Sequence, residues 1–201
     1  MHCWQSVRSL TLCLLLCCLA PFAGNLHAAG IETKQASLLP TEDGFELTAD
    51  FAIDFPPALE AAVARGLTLY FVVEFELNRP RWYWLDERSV RQTQTWRLSY
   101  HALTRQYRLG SGALLQSFAN LGDALRVISR LRGWQVFERK DVRAGERYQA
   151  SLRLTHDLSQ LPKPFQVNAI GNREWDLSSP WHSFAFVPGS AAAGGATAES
   201  R

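Results

Sequence analysis

The strongest constraint in this chain is a strict alternation of apolar and polar side chains. Across residues 45–55 the odd positions are Phe45, Leu47, Ala49, Phe51, Ile53 and Phe55, while the even ones are Glu46, Thr48, Asp50, Ala52 and Asp54. Residues 67–77 repeat it: Leu67, Leu69, Phe71, Val73, Phe75 and Leu77 alternate with Thr68, Tyr70, Val72, Glu74 and Glu76. Side chains two apart share one face of a strand, so each run is a strand with one face in a core and the other toward water. Trp96, Leu98 and Tyr100, and then Tyr148, Ala150, Leu152 and Leu154, continue the pattern. Such one-sided strands belong to antiparallel sheets.

Turn chemistry agrees. Asp43 and Gly44 read as a hairpin turn before the first run. Gly110, Ser111 and Gly112 join a strand ending near Leu109 to one over residues 113–118, and Ala144 with Gly145 links residues 134–139 to residues 147–156. Two helices interrupt. Residues 56–65 carry prolines in the first turn and Gly66 as a stop. Residues 121–132 have Asn120 as N-cap, an apolar stripe of Leu121, Leu125, Ile128 and Leu131, and Gly133 at the end. The expected fold is therefore mainly β: an antiparallel β-sandwich of eight to ten strands with two short helices, the immunoglobulin type being the candidate topology.

The flanks read differently. Arg8 precedes an apolar run from Leu10 to Ala20 that Pro21 breaks, and small residues follow at Ala23, Gly24, Ala28 and Ala29. A membrane span needs about 20 apolar residues, and this run stops near half of that. Residues 1–29 are thus expected to be a cleavable secretory signal peptide, cut after Ala28 or Ala29, with Ala23 as a fallback. The expected organisation is this leader, one β-rich domain over residues 30–188, and a disordered Gly/Ala/Ser/Thr tail over residues 189–201. All four cysteines, Cys3, Cys13, Cys17 and Cys18, fall in the leader. An exported domain of that kind has no disulfide, no thiol chemistry and no cysteine metal site, so packing alone must hold it. No membrane span is expected after leader removal.

Charge is segregated along a chain whose formal net charge is only +2. Residues 30–78 hold nine acidic and two basic side chains, whereas residues 79–153 hold fifteen basic and six acidic. Arginine supplies 18 of the 21 basic residues, and its planar fork suits carboxylates, phosphates and aromatic faces. Acidic strands pairing beside basic ones would give cross-strand ion pairs such as Glu74 or Glu76 with Arg97. Alternatively Arg91, Arg105, Arg108, Arg126, Arg130 and Arg132 form a surface for an anionic partner. Nucleic acid is not expected as a partner of an exported protein.

The candidate binding residues centre on Arg79, Pro80, Arg81, Trp82, Tyr83, Trp84, Leu85, Asp86 and Glu87. Consecutive aromatics in a strand cannot all face inward, and arginines beside them permit cation–π contact. The candidate set is Arg79, Arg81, Trp82, Tyr83, Trp84, Asp86, Glu87, Arg97, Arg105 and Arg108. His101, His156 and His182 lack metal-ligand spacing, and no metal or cofactor is expected. The one catalytic alternative is an envelope hydrolase using Asp86, Glu87 and His101, with Arg97 beside them, at one end of the sandwich.

These residues also carry a family resemblance. The stretch from Arg79 to Glu87 and the one from Arg97 to Leu109, followed by Gly112 and by Leu114, Leu115, Gln116, Ser117 and Phe118, resemble a family of exported proteobacterial proteins. That family is called domain of unknown function 4390, some members of which are known as proline-rich signal peptide proteins. The resemblance implies export to the periplasm, one compact domain, and a gene neighbourhood shared with a membrane histidine kinase. It implies no activity and no catalytic residues. The functional expectation is a non-catalytic binding or adaptor module, peripheral to the inner membrane, whose partner is an envelope protein such as a kinase sensor domain, or an anionic glycolipid.

Overall fold

A computed structural model describes residues 30–80, 87–169, 172 and 174–189. The expected leader, residues 81–86 and the tail from residue 190 onward lie outside the described residues. Nine strands appear among those described. They are β1 (Gly30–Pro40), β2 (Gly44–Asp54), β3 (Leu69–Arg79), β4 (Glu87–His101), β5 (Gln106–Ser111), β6 (Leu114–Phe118), β7 (Arg130–Glu138), β8 (Tyr148–His156) and β9 (His182–Phe186). Three short helices accompany them: α1 (Pro57–Ala64), α2 (Leu121–Ile128) and α3 (Lys163–Ala169).

The strands form two antiparallel sheets, one ordered β1-β2-β7 and the other β6-β5-β4-β3-β8-β9. If β1, β2 and β7 are lettered A, B and E, and β3, β4, β5, β8 and β9 are lettered C, C′, C″, F and G, the order follows a variable-type immunoglobulin sandwich except that the smaller sheet has no strand D among the described residues. β6 extends the larger sheet past C″. The structure thus bears out the expected β-sandwich. Residues 30–40 and 182–186 form strands, and α3 a helix, that alternation alone did not single out.

The core is where the two alternating runs meet. Leu69, Phe71, Val73, Phe75 and Leu77 of β3 have no exposed surface at all, because β4 and β8 flank the strand and the smaller sheet covers its inner face. Across the interior, the rings of Phe45 (β2) and Phe137 (β7) stack at 5.0 Å, and Phe186 (β9) meets the edges of both at 5.1 and 5.8 Å. Phe75 closes the group at 6.1 Å from Phe137, so these rings join the two sheets.

Local signals explain the connections. α1 ends as a Schellman motif: the Gly66 N–H donates to Val63 O at 2.8 Å and the Leu67 N–H to Ala62 O at 3.0 Å. Gly66 takes φ +94°, a conformation that glycine adopts without a side-chain penalty. The Asn120 side chain caps α2 as expected, accepting from the Asp123 N–H at 2.8 Å.

The second helix is shorter than its stripe implies. It stops at Ile128, and Arg130 already begins β7. Leu131, the last residue of the stripe, is buried opposite Ala49 of β2 instead. Gly133 is not a helix stop either. Leu47 pairs with Trp134 and Ala49 with Leu131, so β7 spends three residues where β2 spends two, and Gly133 at φ +64° sits in that bulge. A helical stripe that runs into a strand start looks continuous in sequence, and only pairing with β2 decides where it breaks.

His156 is buried at the end of β8, where its Nδ1 lies 2.9 Å from the Trp175 carbonyl and its Nε2 has no hydrogen-bond partner. Burial lowers its pKa below the ordinary imidazole value, against the partly offsetting pull of the Trp175 carbonyl, Asp157 and Asp176. The unfolded chain therefore takes up the proton first, and stability is full above pH 6.5 and falls as pH drops through the folded-state value. Urea midpoints at pH 7.5 and pH 5 should differ more in the native protein than in His156→Phe; equal differences would remove His156 from the account. Separately, Phe137→Ala should cost about 3–5 kcal/mol in urea unfolding, as a truncated aromatic in a close-packed core does.

Candidate binding cleft

The structure divides the sequence-derived site between two ends of the sandwich. Arg79 closes β3 in register with Glu87, the first residue of β4. Arg97, Arg105 and Arg108 lie toward the other end, Arg97 ten residues further along β4, which is roughly 33 Å at the rise of a strand. His101 ends β4 fourteen residues from Glu87, roughly 46 Å away. The proposed convergence of Glu87 with His101 is therefore not built. The His101 Nδ1 instead lies 3.0 Å from Thr104 Oγ1 and accepts from the Thr104 N–H at 3.3 Å. Arg81, Trp82, Tyr83, Trp84 and Asp86 lie outside the described residues, as does the Glu87 side chain.

Arg79 has a structural role. Its Nη1 meets Glu146 Oε2 at 3.3 Å, and Glu146 also accepts from the Tyr148 hydroxyl at 3.2 Å and from Arg143 at 3.5 Å. Desolvation pushes the Glu146 carboxyl up, but the hydrogen bonds from Arg79 and Tyr148 and the charges of Arg79 and Arg143 outweigh it, leaving the pKa lowered.

Cross-strand ion pairing occurs as the charge pattern implied, though with other arginines. Arg91 reaches Glu74 at 3.4 Å and Glu76 at 3.3 Å, and Arg153 of β8 bonds Glu74 from the opposite side. Register makes the choice: Glu76 faces Arg91 and Glu74 faces Arg153, whereas Arg97 stands across from Tyr70. Arg153 also lies 4.7 Å above the ring of the half-exposed Trp181.

The most site-like feature arises from unequal sheets. The larger sheet has six strands and the smaller three, so β5, β6 and part of β4 project past β7. That projecting inner face carries polar side chains among apolar ones such as Leu109 and the exposed Leu114. Gln92 and Gln94 share a face with Trp96 and Leu98, and Ser111 and Gln116 follow on β5 and β6. Gln94 Nε2 donates to Ser111 Oγ at 3.3 Å, while its Oε1 is shut off from solvent with no hydrogen-bond partner. α2 lies over part of this overhang, and the gap that remains is a recess of about 220 Å³ between Gln94, Leu109, Gln116, Val127 and Arg130.

The recess shares Arg130 and Arg132 with an open cleft of about 640 Å³ lined by Asp50, Phe51, Arg126, Ser129, Arg130 and Arg132. Three guanidinium groups thus face one lining carboxylate. Arg132 is fixed by its Nη1, which donates to Ala49 O at 2.8 Å and Leu131 O at 2.7 Å, and by its Nη2, 2.6 Å from Asp50. Arg126 pairs with Asp123 at 2.8 Å. Arg130 is exposed and has no ion-pair partner among the described residues. The Ser129 hydroxyl donates to Arg126 O at 3.0 Å. Among the described residues no cluster of histidine and carboxylate could hold a metal ion. What the arrangement can do is hold an anion.

The sequence placed Arg126, Arg130 and Arg132 on a basic surface but missed Gln94, Ser111 and Gln116. Their signal was present, since glutamines occupy the apolar phase of β4.

Fold and cleft together define an immunoglobulin-type sandwich whose projecting half-sheet opens a basic cleft. The chain belongs to the family described as Domain of unknown function (DUF4390), whose profile matches residues 28–185. Comparison with curated proteins and with solved structures finds no match.

Arg130→Ala should leave unfolding free energy within about 0.5 kcal/mol of native, since the exposed side chain makes no ion pair or side-chain hydrogen bond among the described residues. Arg132→Ala should cost about 1 kcal/mol through its lost backbone hydrogen bonds. Urea denaturation of both variants checks the contrast.

Proposed function

We propose that the chain is an exported, non-catalytic binding module that uses the Arg126, Arg130 and Arg132 cleft to hold an anionic group on an envelope partner. The observation that carries this reading is Arg130, an uncompensated guanidinium beside one already oriented by two backbone carbonyls. An arginine fixed before binding loses little freedom when a carboxylate or phosphate arrives, so more of the interaction appears as affinity. The partner classes that fit are an acidic patch on a protein, such as the sensor domain of a membrane histidine kinase, and the head of an anionic glycolipid. Export is supported by the apolar leader with its small-residue exit and by the confinement of every cysteine to it.

The test places a photo-crosslinking residue at Val127, beside the cleft, and at Gln149 on the far part of the larger sheet. The expected result is a specific envelope adduct from position 127 alone, lost when Arg130→Glu is added. Identical adducts from both positions, or an adduct indifferent to Arg130→Glu, would overturn the assignment.

A further inference from the structure

A second cationic surface lies on the other face of the projecting half-sheet, independent of the cleft. Between Arg88 and Gly122 the chain has five arginines and no carboxylate. Arg91 is compensated by Glu74 and Glu76 of β3. Arg97, Arg105 and Arg108 have no carboxylate partner among the described residues. Register places Arg97 and Arg108 on the outer face of β4 and β5, opposite Gly110 and Ser99. The Nε of Arg108 is closed to solvent without an acceptor. Two acids lie near this end: Glu60 on α1, close enough to raise the Tyr107 hydroxyl after burial has done so, and Asp157, whose N–H donates to the carbonyl of Tyr70, the register partner of Arg97. Neither forms an ion pair with Arg97, Arg105 or Arg108.

Where β4 turns into β5, Leu103 is 92% exposed, more than any other large apolar side chain described. The turn that presents it is tied by the His101 and Thr104 hydrogen bonds, with Arg105 beside it at φ +52°. The described chain also begins at this end. Gly30 pairs with Asp54, the last residue of β2, and Phe55 just beyond lies 6.4 Å from Phe71 near the start of β3.

We infer that this end of the sandwich docks on an anionic bilayer, with Leu103 entering the headgroup layer and Arg97, Arg105 and Arg108 facing lipid phosphates. One exposed leucine is too small a patch to bind a membrane by itself. Beside three uncompensated arginines it completes the pairing of apolar tip and basic flank that a charged membrane surface selects. The bilayer is favoured over an acidic protein because a headgroup layer takes an exposed apolar side chain and offers phosphates to arginines at the same time.

The experiment uses the exported, leader-processed chain with vesicles of phosphatidylcholine alone or with about one-third phosphatidylglycerol. Binding is expected to the anionic vesicles only, and is expected to weaken with salt. Each arginine near an anionic surface is worth roughly fivefold in partition, so Arg97→Gln, Arg105→Gln and Arg108→Gln together should weaken binding by roughly a hundredfold. Because every cysteine precedes residue 30, Leu103→Cys gives a single labelling site. An environment-sensitive dye there should shift to the blue on anionic vesicles, while one on Gln149→Cys should not. These exposed or half-buried positions permit the variants to keep the native melting midpoint. Equal binding to neutral vesicles, an unshifted dye at position 103, or a triple variant that binds like the native chain would overturn the proposal.

Discussion

The architecture depends on β3. It is hydrogen-bonded to β4 and β8 on its two sides and packed under the smaller sheet, so every second residue from Leu69 to Leu77 is withdrawn from water. Burial of aliphatic and aromatic side chains at roughly 1.5–3 kcal/mol each makes this row the largest single block of apolar stabilisation in the domain. Its outer face does a different task. Glu74 and Glu76 stand between Arg91 and Arg153, and thereby compensate a chain whose first third is acidic and whose middle is basic. The charge segregation seen in the sequence is thus partly resolved inside one sheet.

What is not resolved lies on the half-sheet that has outgrown its partner. Six strands against three leave β5 and β6 without a covering sheet. That uncovered surface cannot be apolar on both faces without inviting aggregation. The sequence meets this with glutamines and serine on the inner face and arginine on the outer. α2 closes part of the gap, and the bulges in β7 bend that strand beside it. The same mismatch thus creates the cleft of Arg126, Arg130 and Arg132.

Much of this was legible before any coordinates. Alternation identified β2, β3 and β8 because side-chain period is a local property, and Gly66 and Asn120 announced the helix ends for equally local reasons. Register is not local. Nothing in the sequence near Glu74 says that Arg91 and Arg153, and not Arg97, will stand beside it. Nor does anything near Leu131 say that a helical stripe will hand its last residue to a strand. The candidate site suffered most from this. Arg79 and Glu87 are brought together by the β3–β4 register, but a β4 of 15 residues carries Arg97 and His101 far away. Residues close in sequence along a strand are separated in space as far as a chain can separate them.

A doubly flanked β3 anchors a sandwich whose β5–β6 half-sheet is left largely uncovered. Hydrogen–deuterium exchange tests this most directly. The account predicts that amides of β3 exchange slowest, by global unfolding alone, while those of the edge strand β6 exchange orders of magnitude faster. Equal protection of β3 and β6 would mean that a further layer covers the half-sheet, and would contradict the account.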